Sequence, residues 1–117
     1  MNCIIVDDDP VWLRTLEEFV GKSSSLSLVG SFSDSLSARN LLMSRRDIEL
    51  IFLDIQMPEM DGLEATRQIR SYELKNYLAP VPIIAMTANT SADDKKACWE
   101  VGMNHFITKP FDGKYLI

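Results

Sequence analysis

Glu49-Leu50-Ile51-Phe52-Leu53-Asp54 is an apolar run that stops at a carboxylate. Four consecutive apolar residues bounded by acids suit a strand covered on both faces better than one with a wet side. The same shape recurs upstream in Asn2-Cys3-Ile4-Ile5-Val6-Asp7 and downstream from Pro82 to Thr87 and from Asn104 to Thr108. Residues 26–32, Leu-Ser-Leu-Val-Gly-Ser-Phe, read as a further strand with partial alternation. Between these runs the period changes to that of a helix. Val11, Leu13, Leu16, Phe19 and Val20 mark a helix over 10–21, with Asp9 as cap, Pro10 in the first turn and Gly21 as its end. Asp34 caps a helix running to about Arg46, Asp61 and Gly62 open one holding Leu63, Ala65, Thr66 and Ile69, and residues 91–102 form one closed by Gly102. Strands alternating with helices imply right-handed crossovers, an α/β class and a parallel sheet.

The chain has 117 residues, about one domain's worth, so a single domain over 1–117 is expected. With 46% apolar and 25% charged residues it can fill one core, and it is neither a disordered nor a fibrous chain. Its apolar runs are too short for a membrane span, and Met1-Asn2-Cys3-Ile4 does not begin a signal peptide. A net charge of −5 argues against binding nucleic acid directly, since neutralising phosphates requires clustered Lys and Arg. Cys3 and Cys98 form no disulfide framework and lack zinc-site spacing. They read as small core residues of a protein in a reducing, cytoplasmic setting.

The chemistry gathers where strands end. The first strand ends at Asp7-Asp8-Asp9, the third at Asp54, the fourth at Thr87-Ala88 and the fifth at Thr108-Lys109-Pro110. In a parallel sheet these ends share one edge, the edge at which such folds bind ligands. Carboxylates meeting there repel one another unless a cation sits among them. Hard oxygen donors select Mg²⁺ or Mn²⁺. Lys109 offers a point charge suited to a phosphoryl oxygen, and Thr87 a neutral hydroxyl. These are the parts for phosphoryl transfer onto an aspartate. Taken singly each has a plainer reading: Asp7 to Asp9 as a helix cap, Asp54 as a loop acid, Lys109 as a surface lysine, Thr87 as a turn residue. His105, the sole histidine, lies away from the acids and reads as structural or exposed.

Four segments carry a resemblance. Ile-Ile-Val-Asp-Asp-Asp-Pro at 4–10, Leu-Asp-Ile-Gln-Met-Pro-Glu-Met-Asp-Gly at 53–62, Ile-Ala-Met-Thr-Ala at 84–88 and Thr-Lys-Pro-Phe at 108–111 follow in order. Over essentially its whole length the chain resembles the response-regulator receiver domains of two-component signalling. The resemblance implies a flavodoxin-like, doubly wound five-stranded sheet of order 2-1-3-4-5. It implies Asp54 as the phosphoacceptor, Asp7 and Asp8 as the acidic pair at Mg²⁺, and the Gln56 backbone carbonyl as a further ligand. Thr87 matches the switch hydroxyl, Lys109 the lysine paired with the phosphoryl group, and Phe106 the aromatic switch position. Ala88 matches the small residue beside the phosphoryl group. Gln56 and Asn89 lie where the family tunes dephosphorylation. The implied partner is a sensor histidine kinase or a phosphotransfer protein, with no membrane or nucleic acid bound directly. The parent protein, a response regulator or a hybrid kinase, stays open.

The chain departs from that pattern at its end. The family's fifth helix normally continues past Pro-Phe, whereas here Asp112 to Ile117 allow little more than a turn, so a truncated last helix is expected. The uncovered face would then favour self-association or marginal stability. Two other functions compete. Asp7-Asp8-Asp9-Pro10-Val11 also fits the Asp-x-Asp-x-Val pattern of haloacid-dehalogenase-type phosphatases, in which Asp7 would be phosphorylated. The other is a phosphorylation-independent interaction module, which would be marked by loss of Asp54, an acid or Lys109; none is lost.

Overall fold

The computed structural model describes residues 1–57, 60–87 and 92–109. The elements are β1 (Asn2–Val6), α1 (Pro10–Lys22), β2 (Ser27–Phe32), α2 (Ser35–Ser44), β3 (Leu50–Asp54), α3 (Gly62–Lys75), β4 (Ile83–Thr87), α4 (Ala92–Glu100) and β5 (His105–Thr108). The strands form one parallel sheet of order β2-β1-β3-β4-β5, the flavodoxin-like arrangement expected. Among the described residues no helix is long and apolar enough to cross a membrane.

The continuous apolar runs are explained by burial on both faces. Cys3, Ile5, Phe52 and Met86 pack with Trp12, Leu16 and Val20 of α1. Their neighbours Ile4, Val6, Ile51, Leu53, Ile83 and Ala85 point the other way, toward Ala38 of α2, Ala65 and Ile69 of α3 and Cys98 of α4. Successive strand side chains alternate faces, so a strand with two covered faces has no polar position to spare. Both cysteines are buried free thiols, and burial pushes each thiol's pKa upward.

Two local readings need correction. Gly21 does not end α1; the helix runs through it to Lys22, and Ser23 donates its N–H to the Val20 carbonyl. A glycine inside a helix costs about 1 kcal/mol relative to alanine, too little to stop propagation by itself. The buried face of α1 holds four of the five expected positions, Leu13, Leu16, Phe19 and Val20, but Trp12 stands where Val11 was expected. Val11 is exposed, while Trp12, Leu16 and Val20, four residues apart, face the sheet. Gly102 does close the turn after α4, with φ +96°, where the chain folds back and Met103 donates its N–H to Cys98. The expected truncation after Pro110 and the apolar face it would leave fall outside the described residues.

Candidate functional site

All the acids and the lysine singled out above meet at the carboxyl edge of the sheet. Asp7 follows β1 directly, and its backbone N–H donates to the Phe32 carbonyl of β2 (2.9 Å). Asp54 is the last residue of β3, in register with Met86, and Ile55 N–H donates to the Met86 carbonyl (3.1 Å). Lys109 follows β5 and donates its backbone N–H to the Thr87 carbonyl (2.7 Å). The ladder therefore fixes these backbones relative to one another before any side chain makes a contact.

The side chains then converge. Oxygens of Asp7, Asp8 and Asp54 lie within 4.8 Å of one another. Asp7 and Asp54 are buried, and Asp8 is exposed. The Lys109 ammonium bridges the buried pair, 2.5 Å from Asp7 Oδ2 and 3.3 Å from Asp54 Oδ2. The other oxygens are held by the backbone: Asp9 N–H donates to Asp7 Oδ1 (2.9 Å) and Gln56 N–H to Asp54 Oδ1 (3.1 Å). Asp9 itself is the helix cap, accepting from Val11 N–H (3.0 Å), so the capping reading applies to the third aspartate and leaves the first two for the site.

One ammonium among three carboxylates leaves the cluster electrically unbalanced. Burial, followed by the Asp7 charge, pushes the Asp54 pKa up to about 7, against the downward pull of the Gln56 N–H and Lys109. A small dication would restore balance, and the donors are all hard oxygens, so the residues fit a Mg²⁺-like ion.

The backbone at Asp54 is crowded. A Cβ on Gly62 would lie 2.3 Å from the Asp54 carbonyl oxygen and 2.8 Å from Ile55 Cα, so only glycine lets α3 start this close to the end of β3. Asp61 caps the helix at Glu64 N–H (2.8 Å), and the Thr66 hydroxyl donates to the Gly62 carbonyl (2.8 Å).

A family profile described as the response regulator receiver domain matches residues 3–117. The chain belongs to that family. Among curated proteins this receiver domain is 36% identical over 116 residues to hybrid signal transduction histidine kinase K of Dictyostelium discoideum. That alignment covers 95% of this chain and 9% of the relative, so the receiver spans about a tenth of that protein's length. Its fold matches a chain in the co-crystal structure of the Saccharomyces cerevisiae phosphotransfer protein Ypd1 and the receiver domain of Ssk1. There the TM-score is 0.89 and the identity 32%, with 99% of this chain and 83% of that chain covered. It also matches the receiver of a Pseudomonas aeruginosa sensor histidine kinase that holds magnesium in its active-site cleft. The TM-score is 0.82 and the identity 32%, with 98% of this chain and 89% of that one covered.

The remaining positions of the receiver are placed unevenly. Thr87 is fully buried at the end of β4. Phe106 is half-buried on β5, packed against the core, with the Lys95 ammonium 5.6 Å from its ring centre. Gln56 is exposed beside Asp54. Ala88 and Asn89 lie outside the described residues. His105 is exposed on β5, as expected. The sequence reading missed Trp12. Its buried indole lies 5.6 Å from the Lys109 ammonium and donates Nε1–H to Met86 Sδ (3.3 Å). The four-residue spacing with Leu16 and Val20 was the signal that could have found its burial.

Proposed function

We propose that Asp54 of this two-component receiver domain, a single domain over residues 1–117, accepts a phosphoryl group from a phosphohistidine. The donor would be a sensor histidine kinase or a phosphotransfer protein, as the hybrid-kinase relatives and the Ypd1 co-crystal suggest. An Asp54 carboxylate oxygen forms the new O–P bond. The P–N bond breaks, and its electron pair stays on the donor's imidazole. The observation that carries this reading is the Lys109 ammonium lying between Asp7 and Asp54, where negative charge builds up during transfer. Asp7, Asp8, Asp54 and the Gln56 carbonyl would hold a Mg²⁺ or Mn²⁺ ion, which when bound supplies positive charge to the phosphoryl oxygens.

The product carries a charge near −2 where one carboxylate stood. Lys109 then turns from Asp7 toward the phosphoryl oxygens. The Thr87 hydroxyl moves to donate to them, and Phe106 repacks into the space it leaves. Ala88 is assigned as the small residue at the phosphoryl group, and Gln56 and Asn89 as the positions that tune its loss, on the strength of the family resemblance alone. The switch is a population shift between two packings. A cytoplasmic location, in keeping with two reduced, buried thiols, belongs to the same reading.

Two rival readings lose ground. Phosphorylation of Asp7 would require attack by a group with no accessible surface, held by Lys109 at 2.5 Å, whereas Asp54 keeps a little exposure and a longer contact of 3.3 Å. A phosphorylation-independent module would have no need to keep Asp7, Asp8, Asp54 and Lys109 together. The test is incubation with acetyl phosphate and Mg²⁺. One phosphoryl group is expected on the wild type, mapped to Asp54, and none on Asp54→Asn. Label on Asp7 would move the protein to the phosphatase reading.

A further inference from the structure

At the opposite, amino-terminal edge of the sheet a cavity of about 160 Å³ opens between α2, α3 and the segments leading into β3 and β4. Its walls are apolar, with Leu42, Ile48, Ile69 and Val81 among them. The volume is close to that of an engineered cavity of about 150 Å³ that takes up benzene. The charged part of its lining is mainly basic. Three of the chain's six arginines, Arg39, Arg45 and Arg46, line the cavity of a protein whose net charge is −5.

The hydrogen-bond balance there is lopsided. Glu73 is the one acid in the lining, and both its oxygens are taken: Oε1 by Arg70 (2.8 Å) and Oε2 by Val81 N–H (2.7 Å). The Tyr72 hydroxyl donates to the Met43 carbonyl (3.1 Å). Arg45 is ion-paired with Asp47. On the donor side, Arg39 gives its two Nη groups to Gln68 Oε1 and Asn40 Oδ1, while its Nε–H is buried with no acceptor, and Arg46, exposed at the rim, makes no hydrogen bond or ion pair among the described residues. A buried donor without a partner is costly, and an anion beside it removes that cost. The cavity thus has apolar walls, one buried donor without an acceptor and a second arginine at its rim, and its own carboxylate is fully engaged.

We propose that this cavity binds a free small-molecule monocarboxylate with an apolar body about the size of one aromatic ring. The body fills the space between α2 and α3, and the carboxylate meets Arg39 and Arg46. The site is independent of the phosphoacceptor edge.

The experiment is an NMR titration of the 117-residue chain with phenylacetate, its neutral analogue phenylacetamide, and a short peptide ending in phenylalanine. Phenylacetate should bind at least about tenfold more tightly than the amide. Its shifts should be confined to residues 39–48 and 69–81, leaving Asp54 and Lys109 unmoved. Arg39→Gln and Arg46→Gln should each weaken phenylacetate by about three- to tenfold and leave the amide unchanged. Arg46 is exposed and has no partner among the described residues, so that variant tests the site without disturbing the structure. Equal affinity for acid and amide, shifts centred on Asp54, or no binding at about 10 mM would each overturn the proposal. A peptide binding more than about tenfold better than phenylacetate would overturn the free-ligand assignment in favour of a chain terminus.

Discussion

The two edges of the sheet fail to balance in opposite senses. At the carboxyl edge three carboxylates share one ammonium, and Gly62 is wedged against the Asp54 carbonyl with no room for a methyl group. At the amino edge donors outnumber acceptors around about 160 Å³ of open space. One edge is tight and carries excess negative charge; the other is loose and carries excess positive charge. Tight packing holds like charges where their repulsion would otherwise drive them apart, and that is how a fold keeps a reactive carboxylate poised. Loose packing offers room but little force. The carboxyl edge should therefore respond to single changes far more than the amino edge does.

The largest effect should come from removing the cation already there. Lys109→Ala should lower the rate of phosphoryl incorporation from acetyl phosphate by about a hundredfold or more, the usual cost of deleting one electrostatic stabiliser. Mg²⁺ affinity, read by calorimetry, should persist or rise. A variant that loses metal binding and transfer together would show that Lys109 holds the site together, rather than acting on the transferred group. Next in size is the wedge. Gly62→Ala should destabilise by about 2–3 kcal/mol, because the backbone facing the new methyl cannot yield as a side chain could. Urea denaturation measures this directly, and a loss below about 0.5 kcal/mol would show that the contact relaxes.

A smaller effect of opposite sign should follow from relieving the repulsion. In metal-free buffer at neutral pH, Asp54→Asn should raise the melting temperature by about 5–10 °C, equivalent to about 1–2 kcal/mol. The pH dependence has the matching sign. Burial holds the Asp54 pKa near 7 in the fold against 3.8 for an unperturbed aspartate, so the folded state binds the proton more tightly. Without metal, stability should therefore fall as pH rises from about 4 to about 7 and change little from this group beyond that. Saturating Mg²⁺ should flatten the slope. A metal-free melting curve that rises through that window would contradict the assigned balance of charge. The smallest effect belongs to the loose edge: Asp47→Asn, which breaks the exposed pair with Arg45, should change stability by less than about 0.5 kcal/mol.

The same contrast explains what could be read before the structure was known. The sheet was legible because burial on both faces leaves a local trace, an unbroken apolar run such as Leu50 to Leu53. The phosphoacceptor edge was legible because a parallel sheet gathers strand ends, so Asp7, Asp54 and Lys109 needed no knowledge of side-chain positions to be placed together. One position on the inner face of α1 was misjudged because Val11 and Trp12 are adjacent and both apolar; only packing against Met86 and Lys109, far away in the chain, chooses between them. Gly21 was misjudged because a glycine ends a helix only when the backbone turns left-handed, as it does at Gly102 and not at Gly21. The amino-edge cavity left no trace in the sequence at all. Its character depends on which donors among Arg39, Arg70, Tyr72 and Val81 find acceptors, and that is settled by rotamers.

Trp12 gives the receiver domain an optical consequence. The chain has two indoles, one buried beside the Lys109 ammonium and one, Trp99, half in water on α4. Indole emission follows the local electric field, so the colour of Trp12 registers where that ammonium stands. Replacing Trp99 with phenylalanine would leave a single chromophore. Its spectrum would then report the lysine's departure from Asp7 in real time, with no dye attached and without touching the residues that do the chemistry.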